Sequence, residues 1–154
     1  VMEKHAVLSK VEMESRYEIA LEHYIKTINV EALTMVEMGK RQILPAVFKF
    51  ATNIATSINA IKATGVAADI TSQTELLTEV SSLATALKNN VATLEASVEK
   101  AANAHGDTYA QAALFRFDVC DKMAALREVA DTLETLVDKE IWPMPTYSDL
   151  LFNV

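Results

Sequence analysis

The stretch that decides the fold is Leu76-Leu77-Thr78-Glu79-Val80-Ser81-Ser82-Leu83-Ala84-Thr85-Ala86-Leu87-Lys88-Asn89-Asn90-Val91-Ala92-Thr93-Leu94-Glu95-Ala96-Ser97-Val98-Glu99-Lys100-Ala101. Its apolar positions Leu76, Val80, Leu83, Leu87, Val91, Leu94, Val98 and Ala101 recur at steps of three and four, the spacing that lines one face of an α-helix. Neither glycine nor proline interrupts it. Ser72 and Glu75 just ahead have the spacing of a capping box, so the pattern predicts a helix over about 72–104 that ends near His105-Gly106. Working outward, Asp107 is placed to cap a further helix over about 107–140, with Leu114, Phe117, Cys120, Met123, Leu126, Ala130, Leu133 and Val137 on its inner face. On the other side, Ser9 and Glu12 form a second capping-box spacing. From there a stripe of Met13, Tyr17, Leu21, Tyr24, Ile28, Ala32, Met35, Ile43, Val47, Ala51, Ile54, Ile58 and Ile61 predicts a helix over about 9–64. Pro45 removes a backbone donor and crowds the turn before it, which predicts a kink or break from about Arg41. Gly65 suits the left-handed close of that helix.

The fold expected from this is all-α. It is an antiparallel bundle of three long helices in one domain over 1–154, with an extended C-terminal tail over 141–154. The first helix outruns its partners. Its early part, about 9–30, should project or fold back, leaving its tyrosines with Ile25 and Ile28 in need of another surface, and self-association would supply one.

Composition limits the function. With 51% apolar residues and only 3 Gly and 3 Pro in 154 residues, the chain is globular and poor in turns. The net charge of −7 lies wholly in residues 71–154, which hold 6 basic and 13 acidic side chains, against 8 of each in 1–70. An acidic half repels phosphate backbones and anionic lipid surfaces, so neither nucleic acid nor membrane is expected as a partner. No apolar run approaches the roughly 20 residues of a membrane span, and the first residues do not read as a signal peptide. The single Cys120 has no internal disulfide partner and reads as an inert buried thiol in a reducing, cytoplasmic setting.

No catalytic, cofactor-binding or metal site is expected. A di-metal bundle needs Glu-x-x-His pairs facing inward, and no Glu precedes His5, His23 or His105 by three. Glu14, Glu18 and Glu22 stack on one helix face, but as a solvated row eased by Lys10 and Lys26 at its ends. Thr52, Thr56, Ser57 and Thr64, like Thr71, Thr74, Thr78, Ser81 and Ser82, give their helices a polar side without forming a catalytic array. Nor does a glycine-rich loop offer a nucleotide cradle.

The tail is the most individual segment: Ile141-Trp142-Pro143-Met144-Pro145-Thr146-Tyr147-Ser148-Asp149-Leu150-Leu151-Phe152-Asn153-Val154. Two prolines stop the preceding helix, and the only Trp precedes an apolar group. A docking role is expected for Trp142, Pro143, Pro145, Tyr147 and Phe152, with Trp142 and Phe152 as anchors, Tyr147 at a groove rim and Asp149 at the wet edge.

The block Asp138-Lys139-Glu140-Ile141-Trp142-Pro143-Met144-Pro145-Thr146-Tyr147-Ser148-Asp149-Leu150-Leu151-Phe152 closely resembles the extreme C-terminus of bacterial type III glutamine synthetases. Glu14-Ser15-Arg16-Tyr17-Glu18-Ile19, Ile43-Leu44-Pro45-Ala46 and Met123-Ala124-Ala125-Leu126-Arg127 ahead of Leu133-Glu134 resemble the same family's helical C-terminal region. The resemblance implies an excised, non-catalytic structural or assembly segment, with which the lack of Met at position 1 agrees. The parent enzyme would join ammonia to glutamate using ATP and Mg²⁺ or Mn²⁺ bound in an upstream catalytic domain. Its partners would be that domain and other subunits of the same enzyme. The alternative is a free-standing helical scaffold or adaptor with a docking tail. The parent gene separates the two, since only the first requires a catalytic domain directly upstream.

Overall fold

In a computed structural model the described residues are 2–5, 7–104, 106–145 and 147–151, with only the backbone of Tyr147 and Ser148 described. Among them every regular element is helical. A 3₁₀ turn at Glu3–His5 leads to α1 (Lys10–Met38), α2 (Leu44–Ala63), α3 (Thr71–Ala102), α4 (Thr108–Leu114), α5 (Cys120–Leu136) and the short α6 (Tyr147–Leu151). A π-turn over Gly39–Ile43 joins α1 to α2 without a break, and a second over Phe115–Val119 joins α4 to α5.

The ends follow from capping chemistry. Ser9 and Glu12 make the reciprocal capping box at the start of α1: the Ser9 N–H donates to Glu12 Oε2 at 2.8 Å and the Glu12 N–H to Ser9 Oγ at 3.3 Å. The Asp107 carboxylate accepts from the Tyr109 N–H at 2.9 Å and opens α4. The expected Ser72–Glu75 box does not form. Thr71 already lies inside α3, and Asp69 Oδ1 accepts its N–H at 2.9 Å, so the chain is turned earlier than the box spacing suggested. Gly65 (φ 72°) and Gly106 (φ 116°) take the positive φ that their turns require.

Two expectations are corrected at the π-turns. The irregularity expected from about Arg41 is there as the π-turn over Gly39–Ile43, but of the kink or break expected, the break does not occur, and the run continues through Pro45. The Leu44 N–H donates to the Gly39 carbonyl, five residues back, and this widened turn absorbs the missing proline donor while the helix continues. In the second, the extra residue rotates the inward face. Phe115 and Val119 become buried, and Phe117, expected in the core, is 69% exposed, with the Arg116 guanidinium over its ring at 5.7 Å. The helix expected to reach about 140 ends at Leu136, because Val137 turns extended (ψ 140°). The tail after it is not extended throughout, since α6 forms at 147–151.

The core is built around α3, whose Val80, Leu87, Val91, Leu94, Val98 and Ala101 are all buried. Leu87 and Leu94 are fully enclosed together with Val47, Phe115, Val119 and Leu133 from the other runs. Each buried Leu or Phe contributes roughly 1.5–3 kcal/mol of hydrophobic stabilisation. Gly39, at the start of the first π-turn, lies close against α3: a Cβ placed on it would lie 2.7 Å from Val91 Cγ2. Lys40 Nζ bonds both Glu95 carboxylate oxygens at 2.6 Å, Asn90 Nδ2 donates to the Ala125 carbonyl at 3.0 Å, and Lys100 Nζ reaches Asp118 Oδ2 at 3.4 Å. These pairs bind α3 to the runs on either side, although partly exposed pairs add little energy.

Candidate docking surfaces

Among the described residues two faces are candidates for docking, the projecting start of α1 and the tail with its groove. On α1 every residue from Lys10 to Ala20 is exposed, whereas Tyr24, Ile25 and Ile28 pack partly against the core. The unsupported part is therefore shorter than the expected 9–30. Here α4, the π-turn at 115–119 and α5 lie against α1, and the Tyr24 hydroxyl lies 3.8 Å from the half-buried Cys120 Sγ at the start of α5. Burial, and then the contact with Cys120, raise the Tyr24 pKa above its ordinary value. Beyond that point Val11 (74%), Tyr17 (54%) and Ile19 (63%) stand exposed.

The acidic row on this segment is solvated, as a surface row should be. Lys10 pairs with Glu14 at 3.6 Å and Lys26 with Glu22 at 3.1 Å. Among the described residues no group of three or more His, Cys, Asp or Glu is placed to hold a metal ion, and no helix is long and apolar enough to cross a membrane. Hydroxyls on the polar helix faces turn inward on their own backbone: Thr52 donates to the Phe48 carbonyl, Thr78 to Thr74 and Ser81 to Leu77.

The tail begins with a turn built on Asp138. Its carbonyl accepts the N–H groups of Ile141 and Trp142, both at 2.9 Å, and its carboxylate accepts the Glu140 N–H at 2.9 Å. That turn carries Trp142 back into the core, where it is 7% exposed, and the half-buried Ile141 and Met144 pack against the same core. The indole Nε1 has no hydrogen-bond partner among the described residues. Pro143 and Pro145 are exposed at the surface. Beyond them, Lys139 Nζ holds Asp149 Oδ1 of α6 at 3.0 Å. A groove of about 380 Å³ runs between α1, α5 and the tail, with Met35, Met38, Ile43 and Leu126 on its walls and Met144 and Leu150 at its lip. Leu150 and Leu151 are nonetheless largely exposed. Of the tail residues expected to dock, the side chain of Tyr147 and the whole of Phe152 lie outside the described residues.

Sequence reasoning overlooked Gly39. Its signal was there: a glycine inside a long helical pattern costs about 1 kcal/mol relative to alanine and so calls for a reason, here the close passage of Val91.

Comparison with known proteins finds relatives of this chain. The model of the glutamine synthetase C-terminal domain matches residues 1–62, the projecting helix and the π-turn included. Through residues 1–62 the chain is similar to glutamine synthetase C-terminal domains. Over nearly its whole length it is similar to type-3 glutamine synthetase of Dictyostelium discoideum, at 31% identity across 95% of the chain. It is also similar to the glutamine synthetases of Butyrivibrio fibrisolvens (28%, across 98% of the chain) and of Bacteroides fragilis strain YCH46 (25%, across 96%). The chain spans about a fifth of the length of these relatives, 20%, 21% and 21% respectively.

Proposed function

We propose that this chain is the C-terminal structural and assembly region of a glutamine synthetase, acting in the cytoplasm. It folds as a single domain, an antiparallel bundle of three long helical runs with a tail that docks through Trp142. The pairings of Lys40 with Glu95, Asn90 with Ala125 and Lys100 with Asp118, and the pocket that Leu44 and Val91 both line, support the alternating direction of the runs. The parent enzyme joins ammonia to glutamate at the expense of ATP, with its divalent metal and nucleotide held outside this region. Here the side chains cap helices, pair charges and fill a core, so the region's contribution is to hold the catalytic domain and other subunits in place. The observation that carries this reading is the similarity along 95% of the chain to relatives of which it makes up a fifth, all of them glutamine synthetases.

The test uses the full-length parent, a truncation lacking this region, and the region alone. Phosphate release with glutamate, ammonia, ATP and Mg²⁺ is expected from the first. The third should show none, and the truncation should lose both assembly, by light scattering, and most of its activity. Turnover by the repurified 154-residue chain, or a truncation that assembles and works like the full enzyme, would overturn the proposal.

A further inference from the structure

The start of α1 has a face that none of the described residues covers. Lys10, Glu14, Tyr17, Glu18 and Leu21 follow one another at steps of three, four and one, so they share one side of the helix, with Val11 at its edge. This is the side that, further along, carries Tyr24 and Ile28 into the core. The inward stripe therefore continues past the end of the bundle, with Tyr17 and Val11 left exposed on it.

We propose that this face pairs with the same face of a second copy, antiparallel, about a two-fold axis at Glu14. The inference rests on the reading of the chain as an assembly region and names the partner and the register. Charge selects both. Paired side by side in the same direction, Lys10 would meet Lys10 and Glu18 would meet Glu18. Reversed about Glu14, Lys10 meets Glu18 of the partner subunit, and Val11 meets Tyr17 of the partner subunit. The two Glu14 carboxylates approach on the axis, each already drawn to its own Lys10 at 3.6 Å. The geometry also fits. The fully exposed stretch Lys10–Ala20 spans roughly 16 Å of helix, and centring the pair within it leaves the two bundles at opposite ends, clear of each other. So short a contact falls below the roughly 1,000 Å² of a stable interface, so the isolated chain associates weakly, and further contacts in a full enzyme would reinforce it.

Sedimentation equilibrium of the 154-residue chain from about 10 to about 500 µM should show a monomer–dimer equilibrium. Lys10→Glu should weaken it about three- to tenfold at low salt. Lys10→Glu with Glu18→Lys should restore it. All these positions are exposed, so circular dichroism should report unchanged helix. In a Cys120→Ser background, a Lys10→Cys chain mixed with a Glu18→Cys chain should give the mixed disulfide on oxidation, in excess over the Lys10→Cys homodimer. Arg16→Cys, on the opposite side of the helix, should cross-link no faster than a random encounter. A strictly monomeric mass at the highest concentration, or cross-linking that favours the Lys10→Cys homodimer, would overturn the pairing. The truncation test of the assembly role would keep its outcome in either case.

Discussion

Replacing Trp142 by alanine tests whether the tail is part of the folded core. The indole is 7% exposed and belongs to the central cluster, so its removal deletes a large buried side chain and leaves a cavity that the surrounding core can only partly fill. Such Trp→Ala changes cost about 3–5 kcal/mol. Nε1, without a partner among the described residues, works in the other direction, because burying a donor without an acceptor costs about 1–3 kcal/mol that the mutation recovers. The expected loss therefore sits at the low end, about 3 kcal/mol. For a chain of this size each kcal/mol moves the melting temperature by about 2–4 °C, so a fall of about 6–12 °C is expected. Trp142→Phe keeps most of the apolar volume and drops the stranded donor, and should cost less than about 1.5 kcal/mol. Thermal and urea unfolding followed by circular dichroism measure both variants. As the only Trp, residue 142 also reports its own surroundings: its fluorescence should be blue-shifted and resist iodide. Full quenching in the folded wild type, together with an unchanged melting temperature for Trp142→Ala, would refute the argument.

The packing and the caps lead to three more expected outcomes. Gly39→Ala places a Cβ 2.7 Å from Val91 Cγ2, and the overpacking should outweigh the better helix propensity, lowering stability by about 1–3 kcal/mol; Val91→Ala should make the same substitution tolerable in a double-mutant cycle. Glu12 and Asp69 have their pKa values lowered first by accepting backbone N–H groups, from Ser9 and Thr71 respectively. Their contribution is present above the ordinary carboxylate range and is lost as pH falls through the depressed values. Amide exchange should then show α1 and α3 fraying at their first turns under acid, and not at pH 6. Tyr24 runs the other way. Its raised pKa means that its contribution is intact below its ordinary value near 10 and fades as pH climbs through the folded one, so spectrophotometric titration should find one tyrosine ionising late, and Tyr24→Phe should remove it.

How much of this was legible in the sequence depends on whether the determinant was local. The α3 stripe was read residue for residue, from Leu76 to Ala101, because an uninterrupted helix turns its periodicity directly into a face. The Ser9 box, the Asp107 cap and the two positive-φ glycines were equally local and equally readable. The misreadings cluster at the π-turns. One residue added to a helical turn rotates the residues on one side of it by about 100° relative to those on the other, so a stripe extrapolated from Leu126 and Met123 arrives at Phe117 when the buried residues are Phe115 and Val119. Nothing in Phe115-Arg116-Phe117-Asp118-Val119 announces a wide turn by composition, and α3 is what makes it tenable, through Lys100 and the enclosed Phe115 ring. At Gly39–Ile43 the sequence did carry the cause, Pro45, but it left two possible answers, a broken helix or one that bends and runs on. Proximity to Val91 and the Lys40–Glu95 bond favour the second, since a break would have given up both contacts. The tail shows the same limit. Its apolar residues could be counted, but it takes the Asp138 turn to send Trp142 inward while leaving Pro143 and Leu150 on the surface. Hydrophobicity says that a segment must find cover; only the turn ahead of it decides which of its residues does.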